Sequence, residues 1–79
     1  MNRRFLNVIS NVFGVRPSEI RAEMTRAEIG SWDSLKQMDL VMSLEREYDI
    51  ELQLPDILRM TTIVKILDVL AEKGVDLAD

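Results

Sequence analysis

Apolar residues first recur with a helical period at Phe5, Val8, Ile9, Val12 and Phe13, the spacing of one buried helix face. Asn2 stands where an N-cap belongs, and Gly14 stands where a left-handed residue would stop the helix. Pro17 then keeps Arg16 out of the helical region. From Gly14 to Asp33 the periodicity lapses for about twenty residues, long for a connection in a compact domain. Val15, Ile20, Met24 and Ile29 are expected to pin this loop to the core, with Ser18 and Thr25 as candidate caps of short turns. Gly30 and Ser31 break whatever precedes them.

The pattern predicts a second helix from about Ser34 to Tyr48, with Asp33 and Ser34 suited to its start and Asp49 marking its end. A brief third helix is expected over Asp56 to Arg59, with Pro55 in its first turn. The last helix starts after Thr61 and Thr62, buries Ile63, Ile66, Leu67 and Leu70, and closes at Gly74. Strand alternation is absent. The predicted fold is all-α: a small four-helix bundle with three main helices, a short third one and a long first loop. It forms a single domain over residues 1–79.

The second helix carries apolar residues on two sides. At about 100° per residue, Leu40, Val41, Leu44 and Tyr48 form one core-facing stripe. Leu35, Met38 and Met42 fall on a flank beside Ser34, rimmed by Asp39, Glu45 and Arg46. Two interpretations stand open: a broad core stripe with Met38 partly buried, or an exposed strip on which several partners dock in turn.

Composition narrows the chemistry. With no histidine and no cysteine in 79 residues, the chain cannot assemble an imidazole acid–base pair, a serine triad, a thiolate nucleophile or a Cys-ligated zinc. A body this small has little room for a cleft, so a self-contained enzyme using paired carboxylates is not expected. The apolar content of 47% and charged content of 30% fit a folded domain, and five Met with few aromatic residues fit a soft aliphatic core. Without disulfides, that core and local helix propensity must hold the fold.

The net charge of −4 is uneven: residues 1–30 hold five basic groups against three acidic, and residues 31–79 hold five against eleven. The acidic second half argues against nucleic acid and for partners that present Lys and Arg. No apolar run exceeds three residues, so no membrane span is expected. Arg3 and Arg4 precede no apolar h-region, so a secretory signal is not expected and a cytoplasmic monomer is. Asp49 and Glu51 lack the spacing of a calcium loop, so no metal ligands are assigned.

A serine at a helix start is ordinarily just a cap. Here it sits in an ensemble: Gly30, Asp33-Ser34-Leu35, Leu40, Leu44-Glu45, Tyr48-Asp49-Ile50 and Thr61-Thr62-Ile63. The helix end Phe13-Gly14-Val15 and the segment Pro17-Ser18-Glu19-Ile20 belong to the same set. Together, from Phe5 to Leu70, they resemble the acyl carrier protein family of four-helix, phosphopantetheine-bearing carriers.

The resemblance implies that Ser34 bears a covalent 4′-phosphopantetheine taken from coenzyme A, with its phosphodiester at a helix N-terminus. It implies that Asp33 assists this modification by helping the transferase orient magnesium and coenzyme A. It further implies that Leu35, Met38, Asp39, Met42, Glu45 and Met60 are recognised by partner enzymes. Those partners would be a phosphopantetheinyl transferase, an acyl- or aminoacyl-loading ligase, and ketosynthase, acyltransferase or condensation-type enzymes. The chain would hold intermediates as thioesters and catalyse nothing itself.

Three departures bear on the pathway. Lys36 and Arg46 stand where fatty-acid carriers usually hold acidic residues, and Leu54 to Arg59 is less acidic than theirs. Trp32 makes the W-D-S-L form seen in discrete carriers of polyketide, nonribosomal peptide and aminoacyl pathways. A dedicated carrier is therefore expected, against the alternatives of a housekeeping fatty-acid carrier or an unmodified carrier-like adaptor. Ile57 and Leu58, if exposed, would add a pathway-specific apolar patch.

Overall fold

Four α-helices form, α1 (Arg3–Phe13), α2 (Ser34–Tyr48), α3 (Leu54–Arg59) and α4 (Ile63–Glu72), in a computed structural model that describes residues 1–78. Among the described residues the only strand-like pairing is one isolated antiparallel bridge between Thr25 and Thr62. The helix starts follow local capping chemistry. Asn2, Asp33 and Thr62 each accept a backbone N–H three residues on, from Phe5, Lys36 and Lys65 at 3.0, 2.8 and 3.2 Å. α1 ends at Gly14, whose φ of 69° puts it in the left-handed region where a Cβ would be strained.

The core is mostly aliphatic, with Phe5, Phe13 and Trp32 as its aromatic members. Phe5, Ile9, Leu40, Leu44, Ile63, Ile66 and Leu70 are fully buried, with Phe13 and Val12 at their side. In α4 the buried arc runs from Val69 through Ile66 and Leu70 to Ile63, so Val69 takes the place expected of Leu67. Leu67 lies on the far shoulder of that arc and is only partly buried. α3 begins two residues before the expected Asp56, because Gln53 caps it: its N–H donates to the Asp56 carboxylate at 3.0 Å, with Pro55 in the first turn.

The long loop is ordered by what it touches. Ile20 and Ile29 are buried, and Val15 and Met24 pack on the core from its edge. Glu28 accepts the Thr25 N–H at 3.2 Å, so Thr25 does start a turn. Ser18 caps nothing: the short 3₁₀ turn Pro17–Glu19 is capped from Arg16. The loop also completes α4. Ala22 and Met24 carbonyls accept the N–H groups of Val64 and Ile63 at 2.8 and 3.1 Å, satisfying donors that a helix start leaves free.

Ion pairs fasten the short helix. Asp56 meets Lys73 at 2.8 Å, and Arg59 meets Glu72, so α3 is tied to the end of α4. The Lys73 ammonium holds the Asp56 carboxyl below the usual carboxylate range, the Arg59 guanidinium does the same for Glu72, and the Arg16 N–H does so for Glu19. Groups with lowered folded-state values stabilise the fold above their unfolded values and lose that contribution as pH falls through the folded ones. The urea midpoint is therefore expected to hold from neutral pH to about pH 5 and to fall below about pH 4. A midpoint that rises on acidification would contradict these pairings.

Candidate functional site

The turn that leads into α2 is fixed from behind. Trp32 is buried and packs its ring on Phe13, with centroids 5.0 Å apart, and its backbone N–H donates to the Ile29 carbonyl at 2.9 Å. Ser31 donates its hydroxyl to the Phe13 carbonyl at 2.9 Å, which joins the turn to the end of α1. Asp33 then caps α2, and Ser34 is its first residue, exposed at the positive end of the helix.

Beside Ser34 lies a shallow groove of about 290 Å³, lined by Arg26, Gln37, Met38, Ile57, Leu58 and Thr61. One wall is α2 and the other is α3. Met38 and Leu58 make it apolar, while Arg26 stands at its lip with its guanidinium 5.9 Å from the Trp32 ring centroid. An exposed primary hydroxyl, amides of a helix start, an arginine and an apolar trough suit a phosphate-linked, partly apolar chain.

The residues expected to meet partners divide. Leu35, Met38 and Met42 are 81%, 50% and 59% exposed, so the flank of α2 is a surface strip and not an extension of the core. Asp39 is exposed on the same side and accepts the Ser43 hydroxyl at 3.4 Å. Glu45 is half-buried, and its carboxylate accepts the Leu52 N–H at 2.9 Å, so part of its work is to hold the α2–α3 connection. Met60 is a correction. It is wholly buried among core residues and offers no surface, because the chain turns inward after α3 with the Met60 N–H donating to the Ile57 carbonyl at 3.1 Å. Leu54, Leu58 and Val64 are exposed in its stead, and Ile57 packs partly against the core.

Gln37 is the residue that sequence reasoning passed over. It lies on the same stripe of α2 as Leu40, Leu44 and Tyr48, and a polar side chain in the middle of a core stripe is itself a signal. Its carbonyl accepts the Trp32 indole N–H at 2.6 Å, and its amide donates to the Ile57 and Met60 carbonyls at 3.2 and 3.4 Å.

Asp33 can be tested for two roles at once. Asp33→Ala removes the cap on Lys36 and should cost about 0.5–2 kcal/mol, whereas Asp33→Asn keeps a capping oxygen and should cost little. Thermal unfolding of the two variants separates the cap from the charge. A variant pair equal in stability would mean that the Asp33–Lys36 contact contributes nothing.

Among the described residues no helix is long and apolar enough to cross a membrane, and no cluster of metal-ligating side chains forms. Residues 3–70 match the family described as "Phosphopantetheine attachment site". Among curated proteins the chain is similar to an acyl carrier protein of Bdellovibrio bacteriovorus, 31% identical over 68 residues that cover 86% of this chain and 87% of that one.

Proposed function

Because the chain belongs to the phosphopantetheine-attachment family of acyl carrier proteins, we propose that Ser34 bears its covalent 4′-phosphopantetheine and that the exposed flank of α2 presents it to partners. The family is one of non-catalytic carriers served by a phosphopantetheinyl transferase and acyl-handling enzymes. The arm supplies a terminal thiol on which acyl groups are held as thioesters.

What the chain itself contributes is placement. The observation that carries the assignment is that Ser34 is an exposed hydroxyl on the first turn of α2, at the edge of the apolar groove. Its nearest serines are engaged: Ser31 donates to the Phe13 carbonyl and Ser43 to Asp39. The amides of the first turn and the positive helix end favour the negative charge of a phosphodiester there. Asp33 keeps the turn in place and leaves its carboxylate exposed beside Ser34, where a transferase's metal and coenzyme A would be oriented.

We further propose a dedicated pathway in preference to housekeeping fatty-acid synthesis. Lys36 and Arg46 break the acidic character of α2, and Leu54 and Leu58 add an apolar surface on α3. A partner matched to this face would need mixed charge and an apolar contact. Proteolysis of the modified protein and mass mapping of the peptides tests the first proposal: the added group should fall on Ser34, and its appearance on Ser31 or Ser43 would refute the assignment. For the second, the modified protein is offered to fatty-acid-type and to specialised acyl- and aminoacyl-activating ligases. Loading by the fatty-acid-type enzymes alone would overturn it.

A further inference from the structure

Gln37 is the polar side chain that the core buries among the described residues, at 5% exposure. A buried amide left unpaired is costly, and here both ends are used. Through them one side chain joins three places: Trp32, two residues before Ser34; the first turn of α2; and the carbonyls of Ile57 and Met60 at the end of α3. Among the described residues these are the hydrogen bonds that join α2 to α3, whose ion pairs run instead to α4 through Arg59–Glu72 and Asp56–Lys73.

α3 needs such a tie. It is six residues long, its one core contact is the partly buried Ile57, and its ion pairs tie it to α4, so little of its own fixes it against α2. Its position sets the depth of the groove beside Ser34, since Ile57 and Leu58 form one wall and Met38 the other. Met60, which follows α3 directly, and Leu40 of α2 are both fully buried in the core.

We propose that Gln37 is a clasp, a positioning residue that holds α3 against the turn preceding Ser34 and keeps the groove shallow. An apolar cargo then lies on the surface along Met38, Ile57 and Leu58 and does not pass beneath α3 into the core. This rests on Ser34 as the attachment residue.

The test uses the full chain carrying either an acetyl or an octanoyl phosphopantetheine, with loading verified first by intact mass. A failure of the attachment assignment would show at that step, before the clasp is probed. In the unsubstituted protein the two loads should give the same Trp32 indole N–H resonance and the same amide-exchange protection at Ile57 and Met60. Gln37→Glu keeps an acceptor for Trp32 and loses the donor to α3. It should speed exchange at those two amides by about tenfold or more and make the octanoyl load shift the Trp32 resonance. Gln37→Met, apolar and of similar size, should speed α3 exchange as well. The clasp is overturned if octanoyl loading of the unsubstituted protein already shifts Trp32, or if folded Gln37 variants leave α3 protection unchanged. The comparison of the two loads decides the matter even if a Gln37 variant fails to fold.

Discussion

Ser34→Ala is expected to abolish attachment of phosphopantetheine entirely while leaving the helical fold in place. The cap of α2 is Asp33, not Ser34, so alanine at the first helical position removes no capping bond. Ser34 is exposed and packs into no core, and exposed substitutions of this kind change stability by about 0.5 kcal/mol or less. Attachment, by contrast, needs an oxygen at this place, and alanine has none. Ser18 sits on a three-residue 3₁₀ turn elsewhere, while Ser31 and Ser43 donate to protein acceptors. Intact mass after treatment with a transferase reads the first half of the expectation, and the circular dichroism melting curve reads the second. A variant that is still modified, or one that melts well below the unsubstituted protein, would contradict the role given to this turn.

The second large effect separates two methionines that the sequence treats alike. Met60→Ala should cost about 2–5 kcal/mol, because the side chain is wholly buried in the core just after α3. A domain of this length holds roughly 4–12 kcal/mol in total. Met60→Asp, which would leave a carboxylate in that site without a partner, should therefore unfold it. Met42→Asp should do neither. With more than half of its side chain in solvent, Met42 should tolerate the change with a stability loss of about 0.5 kcal/mol. Acyl transfer to or from a partner enzyme should nevertheless fall by about tenfold, the scale of one contact residue at an interface. Urea unfolding and kcat/KM for the carrier as substrate measure the two quantities independently. If Met42→Asp unfolds the protein, or if Met60→Asp remains folded, the assignment of the two faces is wrong.

These two residues also show what was legible in the sequence. The starts of α1, α2 and α4 depend on a side chain three residues from the amide it caps, and so Asn2, Asp33 and Thr62 mark them locally. A helix wheel sets Leu35, Met38 and Met42 on a flank beside the buried stripe, but it leaves open whether that flank is core or surface, and only the packed structure shows it exposed. Met60 was not legible, since its burial follows from an inward turn after α3 that no periodicity records. Nor was the way in which Ala22 and Met24 complete the start of α4, for that contact joins segments some forty residues apart in the chain. Gln37 lies between these cases. Its place on the core stripe was visible, but the Trp32 and α3 partners that satisfy it belong to the tertiary structure.

The central claim is that this chain is a carrier whose arm is attached at Ser34. The most direct measurement is the intact mass of the folded protein after incubation with coenzyme A, magnesium and a broad-specificity phosphopantetheinyl transferase. The account predicts the gain of a single phosphopantetheine, complete in the unsubstituted protein and absent from Ser34→Ala. An unchanged mass in a protein shown to be folded would contradict it, and would leave a carrier-like bundle acting as an unmodified adaptor.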